Sequence, residues 1–164
     1  MIQRIQSVYL ALAAILGLIT LRVPAWKFVY GNETEMVNAL QMYSPLDTDG
    51  SLRSRWFFLT PAHTAWFSLL VVTVLFLLYI IFQYKNRIRQ MKLCWIALIL
   101  QGAQILASML LILSGPQWVM GGKANTGTPF VGFGMMAVSL FLIWMASKAI
   151  KKDEALVKSV DRLR

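Results

Sequence analysis

Four stretches of the chain contain no Asp, Glu, Lys or Arg and are almost wholly apolar: Ile5–Leu21, Ala62–Phe82, Leu93–Leu113 and Phe130–Ser147. A helix needs about 20 apolar residues to cross roughly 30 Å of hydrocarbon. A charge at the bilayer centre costs about 2.5–3.5 kcal/mol on insertion scales. Their spacing leaves little chain for anything else. Hydrophobic residues make up 58 % of the 164 and charged residues 14 %, against roughly 25 % charged in a soluble domain. Too little polar side chain remains to coat a water-soluble globule. The expected fold is an all-α membrane protein, a single membrane domain over residues 1–164. It is a four-transmembrane-helix bundle with a small antiparallel β-sheet in its first outer loop and a cytoplasmic C-terminal helix extension.

The basic residues orient the spans. The net charge is +9. The connector between spans two and three holds Lys85, Arg87, Arg89 and Lys92 with no acid, and the tail after span four holds Lys148, Lys151, Lys152, Lys158, Arg162 and Arg164. Only Lys123 lies between spans three and four, and the basic residues of the 22–61 loop are balanced by acids. Basic loops stay in the cytoplasm. Both termini are then cytoplasmic, and an even number of spans agrees by placing them on one side. Nucleic acid is not an expected partner, because no basic soluble module is left over to bind it. The bilayer is the first partner, and a membrane-protein partner or a second copy is the next.

An alternative for the first span is a cleaved secretory signal, since Val23-Pro24-Ala25 offers small residues at cleavage-like spacing. Against it, the apolar run exceeds the usual signal core of about 7–15 residues, and Arg22 lies close to the cut.

Residues 22–61 form the one sizeable loop. Trp26, Phe28 and Tyr30 alternate with Lys27 and Val29, the period of a strand. Gly31-Asn32 and Asp49-Gly50 read as turns. A second strand is expected within Met36–Tyr43 and a third within Leu52–Leu59, with Trp118–Met120 able to join the sheet edge. Asp47-Thr48-Asp49-Gly50 resembles the opening of a calcium loop, but the twelfth position is Phe58 rather than an acid, so a plain turn is favoured. Trp26, Trp56, Trp66 and Trp118 fall near the outer boundary, where an interfacial aromatic belt is the favoured reading. A lipid or quinone cleft formed with His63 and Arg55 is the sharper one.

Inside the membrane, Cys94, Gln101, Gln104 and Ser108 make one polar stripe at 100° per residue. Interhelical hydrogen bonding is its ordinary use; a polar lining for a substrate is the alternative. Gly102, Ala103 and Ala107 beside the stripe, Gly132 and Gly134 with Ala137 in span four, and Ala13 with Gly17 in span one are expected to let helices approach closely. The single cysteine excludes an intrachain disulfide and thiol relay chemistry. The single histidine excludes a bis-histidine haem or a His-rich metal site within one chain. No cofactor, metal or catalytic residue is assigned. On the cytoplasmic side, Lys85, Arg89 and Lys92 line one helical face, and Lys151 and Lys152 belong to the basic face of the tail helix. That face suits anionic headgroups or a docking partner.

The two ends of the chain carry a resemblance. The opening Met1–Leu10 (MIQRIQSVYL) and the closing Lys151–Arg164 (KKDEALVKSVDRLR) resemble the ends of a small membrane family of Bacteroidota, domain of unknown function 4293. The resemblance implies an inner-membrane location in a Gram-negative bacterium and brings no activity. The resulting expectation is a non-enzymatic accessory or scaffold subunit of a membrane complex. The alternative is a small transporter or lipid- or quinone-handling protein that uses the polar stripe.

Overall fold

The computed structural model describes residues 3–30, 33–37, 41–44, 53–56, 61–84, 86–120 and 126–161. Four helices carry the fold: α1 (Gln3–Thr20), α2 (Pro61–Phe82), α3 (Arg87–Met120) and α4 (Val131–Asp161). Helix α2 opens on Pro61, whose missing N–H is no loss at a first helical position. At the start of α3, Asn86 accepts the Arg89 N–H on its side-chain oxygen at 3.2 Å, an N-cap.

Among the described residues, three helices contain segments long and apolar enough to cross a membrane: Thr64–Phe82, Arg87–Leu113 and Val131–Val157. The apolar part of α1, Ile5–Thr20, is shorter. Sequence reasoning ends the third span at Leu113, yet α3 continues through Gly115-Pro116 to Met120. A proline near a helix end removes one hydrogen bond while its fixed φ remains helical.

Helix α1 packs on α2 and α4, and α3 packs on the same two. The α1–α4 contact is antiparallel and long. At one end the Gln6 amide donates to the Asp153 carboxylate. Midway, Ser139 Oγ donates to the Ala13 carbonyl at 3.3 Å. At the other end the Gly132 N–H donates to the Pro24 carbonyl at 2.9 Å. From Gly132 to Asp153, α4 rises roughly 32 Å at about 1.5 Å per residue.

Between the helix ends lies one antiparallel sheet of five strands in the order β4-β3-β2-β1-β5. The strands are β1 (Trp26–Tyr30), β2 (Glu33–Val37), β3 (Gln41–Ser44), β4 (Arg53–Trp56) and β5 (Thr126–Pro129). Tyr30 pairs with Glu33, the register of a two-residue hairpin connection, although residues 31 and 32 themselves lie outside the described residues. Two expectations are corrected. The region expected to hold one strand, Met36–Tyr43, contributes to both β2 and β3. The edge strand from the last loop is Thr126–Pro129, paired with β1, whereas Trp118–Met120 belongs to α3. Three consecutive residues at a helix end read as strand only by their β-propensity, which helix continuation overrides. The expected turns at Pro45 and Asp49-Gly50, and with them the calcium-loop resemblance, lie outside the described residues.

The buried interior divides into two clusters. One joins Leu10, Ala13, Ala14, Leu77, Ile80, Cys94, Ala97, Ile143, Ala146 and Ile150. The other joins Ala25, Trp26, Trp66, Leu70 and Met136 next to the sheet. Apolar residues also cover the outside: Val72, Leu75, Ile99, Leu106, Val138 and Phe141 are all more than half exposed. Helices that are apolar all round suit hydrocarbon as solvent.

Candidate functional site

The densest set of buried polar side chains lies where α2, α3 and α4 meet near the sheet. Trp66 Nε1 donates to Ser108 Oγ at 2.7 Å. Ser108 Oγ lies 2.8 Å from the Gln104 carbonyl and 3.8 Å from Met136 Sδ. Gln104 Nε2 donates to the Trp66 carbonyl of α2 at 3.3 Å, and Gln101 Nε2 to the Met136 carbonyl of α4 at 3.2 Å. All four stripe residues, Cys94, Gln101, Gln104 and Ser108, are buried. In a segment without water each such group needs a protein partner. Here one face of α3 supplies two neighbouring helices with bonds. Gln104 Oε1 is buried with no hydrogen-bond partner among the described residues.

Cys94 shares the stripe's helical face but not its network. It is buried among Leu10, Leu77, Ala97 and Ile143, about two turns from Gln101. A thiol there packs as a small apolar group.

Trp66 and Trp26 depart from the aromatic-belt expectation. Each is 2 % exposed, and their rings lie 4.6 Å apart, tilted by 53°. The β1 strand begins at Trp26, so the sheet docks its first indole onto the helices rather than presenting it to headgroups. The side chains of Arg55, Trp56, His63 and Trp118, which would complete the lipid or quinone cleft, lie outside the described residues. So does Lys85. Arg89, Lys92, Lys151 and Lys152 are exposed, as a basic outer face requires. Among the described residues no group of three or more His, Cys, Asp or Glu side chains could hold a metal ion.

The small residues divide. A Cβ on Gly17 would stand 2.6 Å from Val74 Cγ2, and one on Gly132 2.9 Å from the Pro24 carbonyl oxygen. Both positions are close approaches, as expected. Gly102 and Gly134 are corrections: a Cβ on either meets nothing within 4 Å, because both turn away from the neighbouring helices. Ala103 and Ala137, both exposed, likewise face outward.

Two features escape sequence reasoning. Asp153 is buried against Gln6, although it follows two lysines in a tail expected to be solvated. Its signal is its helical spacing from Ala146 and Ile150. Trp95 and Trp144 are the exposed tryptophans of the described residues. Their signal is position, each one turn inside a basic residue, Lys92 and Lys148 respectively.

Long apolar helices with internally bonded polar groups define an α-helical membrane protein. The chain matches the family model described as Domain of unknown function (DUF4293) over residues 2–163, and it belongs to that family. No curated protein matches it.

Proposed function

We propose that the chain is a four-span protein of the bacterial inner membrane, with both termini cytoplasmic and the sheet outside. In it the chain acts as a non-enzymatic accessory or scaffold subunit of a membrane complex. Support for the fourth span comes from α1 lying along α4 from Gln6–Asp153 to Pro24–Gly132, a length close to the hydrocarbon thickness of about 30 Å. Support for the orientation comes from charge. Arg89 and Lys92 of α3 and Lys148, Lys151 and Lys152 of α4 all fall at the end where α2 passes into α3.

The observation that carries the scaffold reading is the use of the interior polar groups. Gln101, Gln104, Ser108, Trp66 and Ser139 all bond to neighbouring helices or to each other, so the stripe supports a rigid bundle. The test is cross-linking in native membranes and purification in mild detergent, with mass spectrometry of the co-purifying proteins. A defined stoichiometric partner is expected. A monodisperse single chain with nothing attached contradicts the role.

One observation favours the alternative, a lipid- or quinone-handling or transport role: the unpartnered buried acceptor Gln104 Oε1, which would suit a hydroxyl-bearing ligand. Replacing Gln101 and Gln104 with Leu separates the two readings. Loss of the cellular phenotype with unchanged folding and partner association supports the alternative.

A further inference from the structure

Trp95 of α3 is 59 % exposed and Trp144 of α4 is 42 % exposed. The Gln101–Met136 hydrogen bond fixes these two helices against each other. From that bond, Trp95 lies roughly 9 Å along α3 and Trp144 roughly 12 Å along α4, in the same direction. Both rings therefore sit near one depth, at the basic end of the molecule.

Lys148 Nζ lies 3.6 Å from the centroid of the Trp144 ring. Helical side chains lean toward the helix N-terminus. On α4 that direction runs back toward the apolar segment, so the Lys148 ammonium is held about a turn deeper than its own Cα. A lysine at a membrane edge ordinarily extends to water; Lys148 is kept by the aromatic face. Lys151 and Lys152 come next, exposed. The adjoining residue, Asp153, turns inward to Gln6, and no acid occurs from Trp144 to Lys152. Phe141, exposed, stands 5.7 Å from Trp144 on the apolar side.

The geometry points to a binding site for an anionic phospholipid on this face: the headgroup phosphate between Lys148 and Lys151, and an acyl chain along Trp144 and Phe141. The site rests on the membrane-spanning reading, because α4 must leave the hydrocarbon near Lys148. Charge selects the occupant. A zwitterionic lipid brings its own ammonium to two that are already there, whereas an anionic one neutralises them.

The test reconstitutes the purified chain into vesicles of phosphatidylcholine and phosphatidylglycerol, with brominated acyl chains on one lipid or the other, and reads tryptophan quenching. The brominated anionic lipid is expected to quench more at equal mole fraction, with a local enrichment of about fivefold for each lysine engaged. Lys148→Gln with Lys151→Gln should bring the preference close to one, and Lys27→Gln in the sheet should leave it unchanged. Equal quenching by both lipids, or an unaltered preference in the double variant, overturns the site; an acidic protein as the true occupant of this face gives the equal-quenching result. Vesicle flotation keeps the two failures apart. Protein that floats but shows no preference loses only the lipid site, and protein that does not float loses the membrane-spanning reading as well.

Discussion

The N–H of Gly132 donates to the carbonyl oxygen of Pro24 at 2.9 Å, and a Cβ at Gly132 would stand 2.9 Å from that same oxygen. This contact ties the first turn of α4 to the chain leaving α1. It extends the β1–β5 ladder, in which Phe130 N–H donates to Ala25 O at 2.9 Å. Because the opposing atoms are backbone, they cannot swing aside. Gly132→Ala is expected to destabilise the protein by about 1–3 kcal/mol through overpacking, read as denaturant unfolding in micelles. Gly134→Ala, which meets nothing, should be neutral or stabilise by up to about 1 kcal/mol, since alanine is the better helix former. Equal effects at the two positions would contradict the docking described.

Gly17 offers a paired test. Its added Cβ meets Val74 Cγ2, a side chain rather than a backbone. Gly17→Ala should destabilise, and Val74→Ala alone should cost about 1–3 kcal/mol for the lost methyls and the void. Combined, the two should cost less than their sum, because the new methyl fills the space vacated. Strict additivity would place α1 elsewhere on α2.

The helices and their order are legible in the sequence because hydrocarbon imposes a simple rule, and Ala62–Phe82 obeys it nearly to the residue as Pro61–Phe82. The stripe is legible too, since Gln101, Gln104 and Ser108 repeat at helical spacing. What they bond is not, because spacing says nothing of a neighbour's carbonyl. Burial of Trp26 cannot be read either. A tryptophan at a membrane boundary looks the same in sequence whether it faces headgroups or another indole; Trp66, 4.6 Å away, decides it. Thr126–Pro129 does not read as a strand because Gly127 and Pro129 have low β-propensity, and pairing with β1 along Lys27 and Phe28 overrides that preference. Asp153 looks solvent-facing because flanking lysines set the local pattern, while its partner Gln6 lies at the far end of the chain.

The two glutamines should differ. Gln101→Leu removes a bond to the Met136 carbonyl and is expected to cost about 0.6 kcal/mol, the usual worth of an interhelical hydrogen bond in lipid. Gln104→Leu removes a bond to Trp66 but also a buried oxygen without a partner, so it should cost less, or nothing. Unfolding titrations of the two variants in the same detergent decide it. A larger loss at Gln104 would contradict the reading of its oxygen as a buried acceptor without a partner.

At the opposite end, Gln6→Leu takes the donor amide from the buried Asp153 carboxylate. A buried acceptor deprived of its partner costs about 1–3 kcal/mol or more when charged. Gln6→Leu with Asp153→Leu should recover part of that loss, since two apolar groups replace a broken polar pair. A double variant less stable than Gln6→Leu, by thermal unfolding, would contradict this pairing.

Side-resolved cysteine labelling addresses the threading itself. In a Cys94→Ser background, Lys27→Cys, Thr128→Cys, Tyr84→Cys and Lys152→Cys each carry one thiol, exposed to a membrane-impermeant maleimide in cells with a permeabilised outer membrane, and an epitope at Met1 is probed likewise. Labelling of positions 27 and 128 before lysis, with 84, 152 and the epitope reached only after it, is the expected result. Positions 84 and 152 reacting from outside, or the Met1 epitope lying on the same side as position 27, would contradict four spans with cytoplasmic ends.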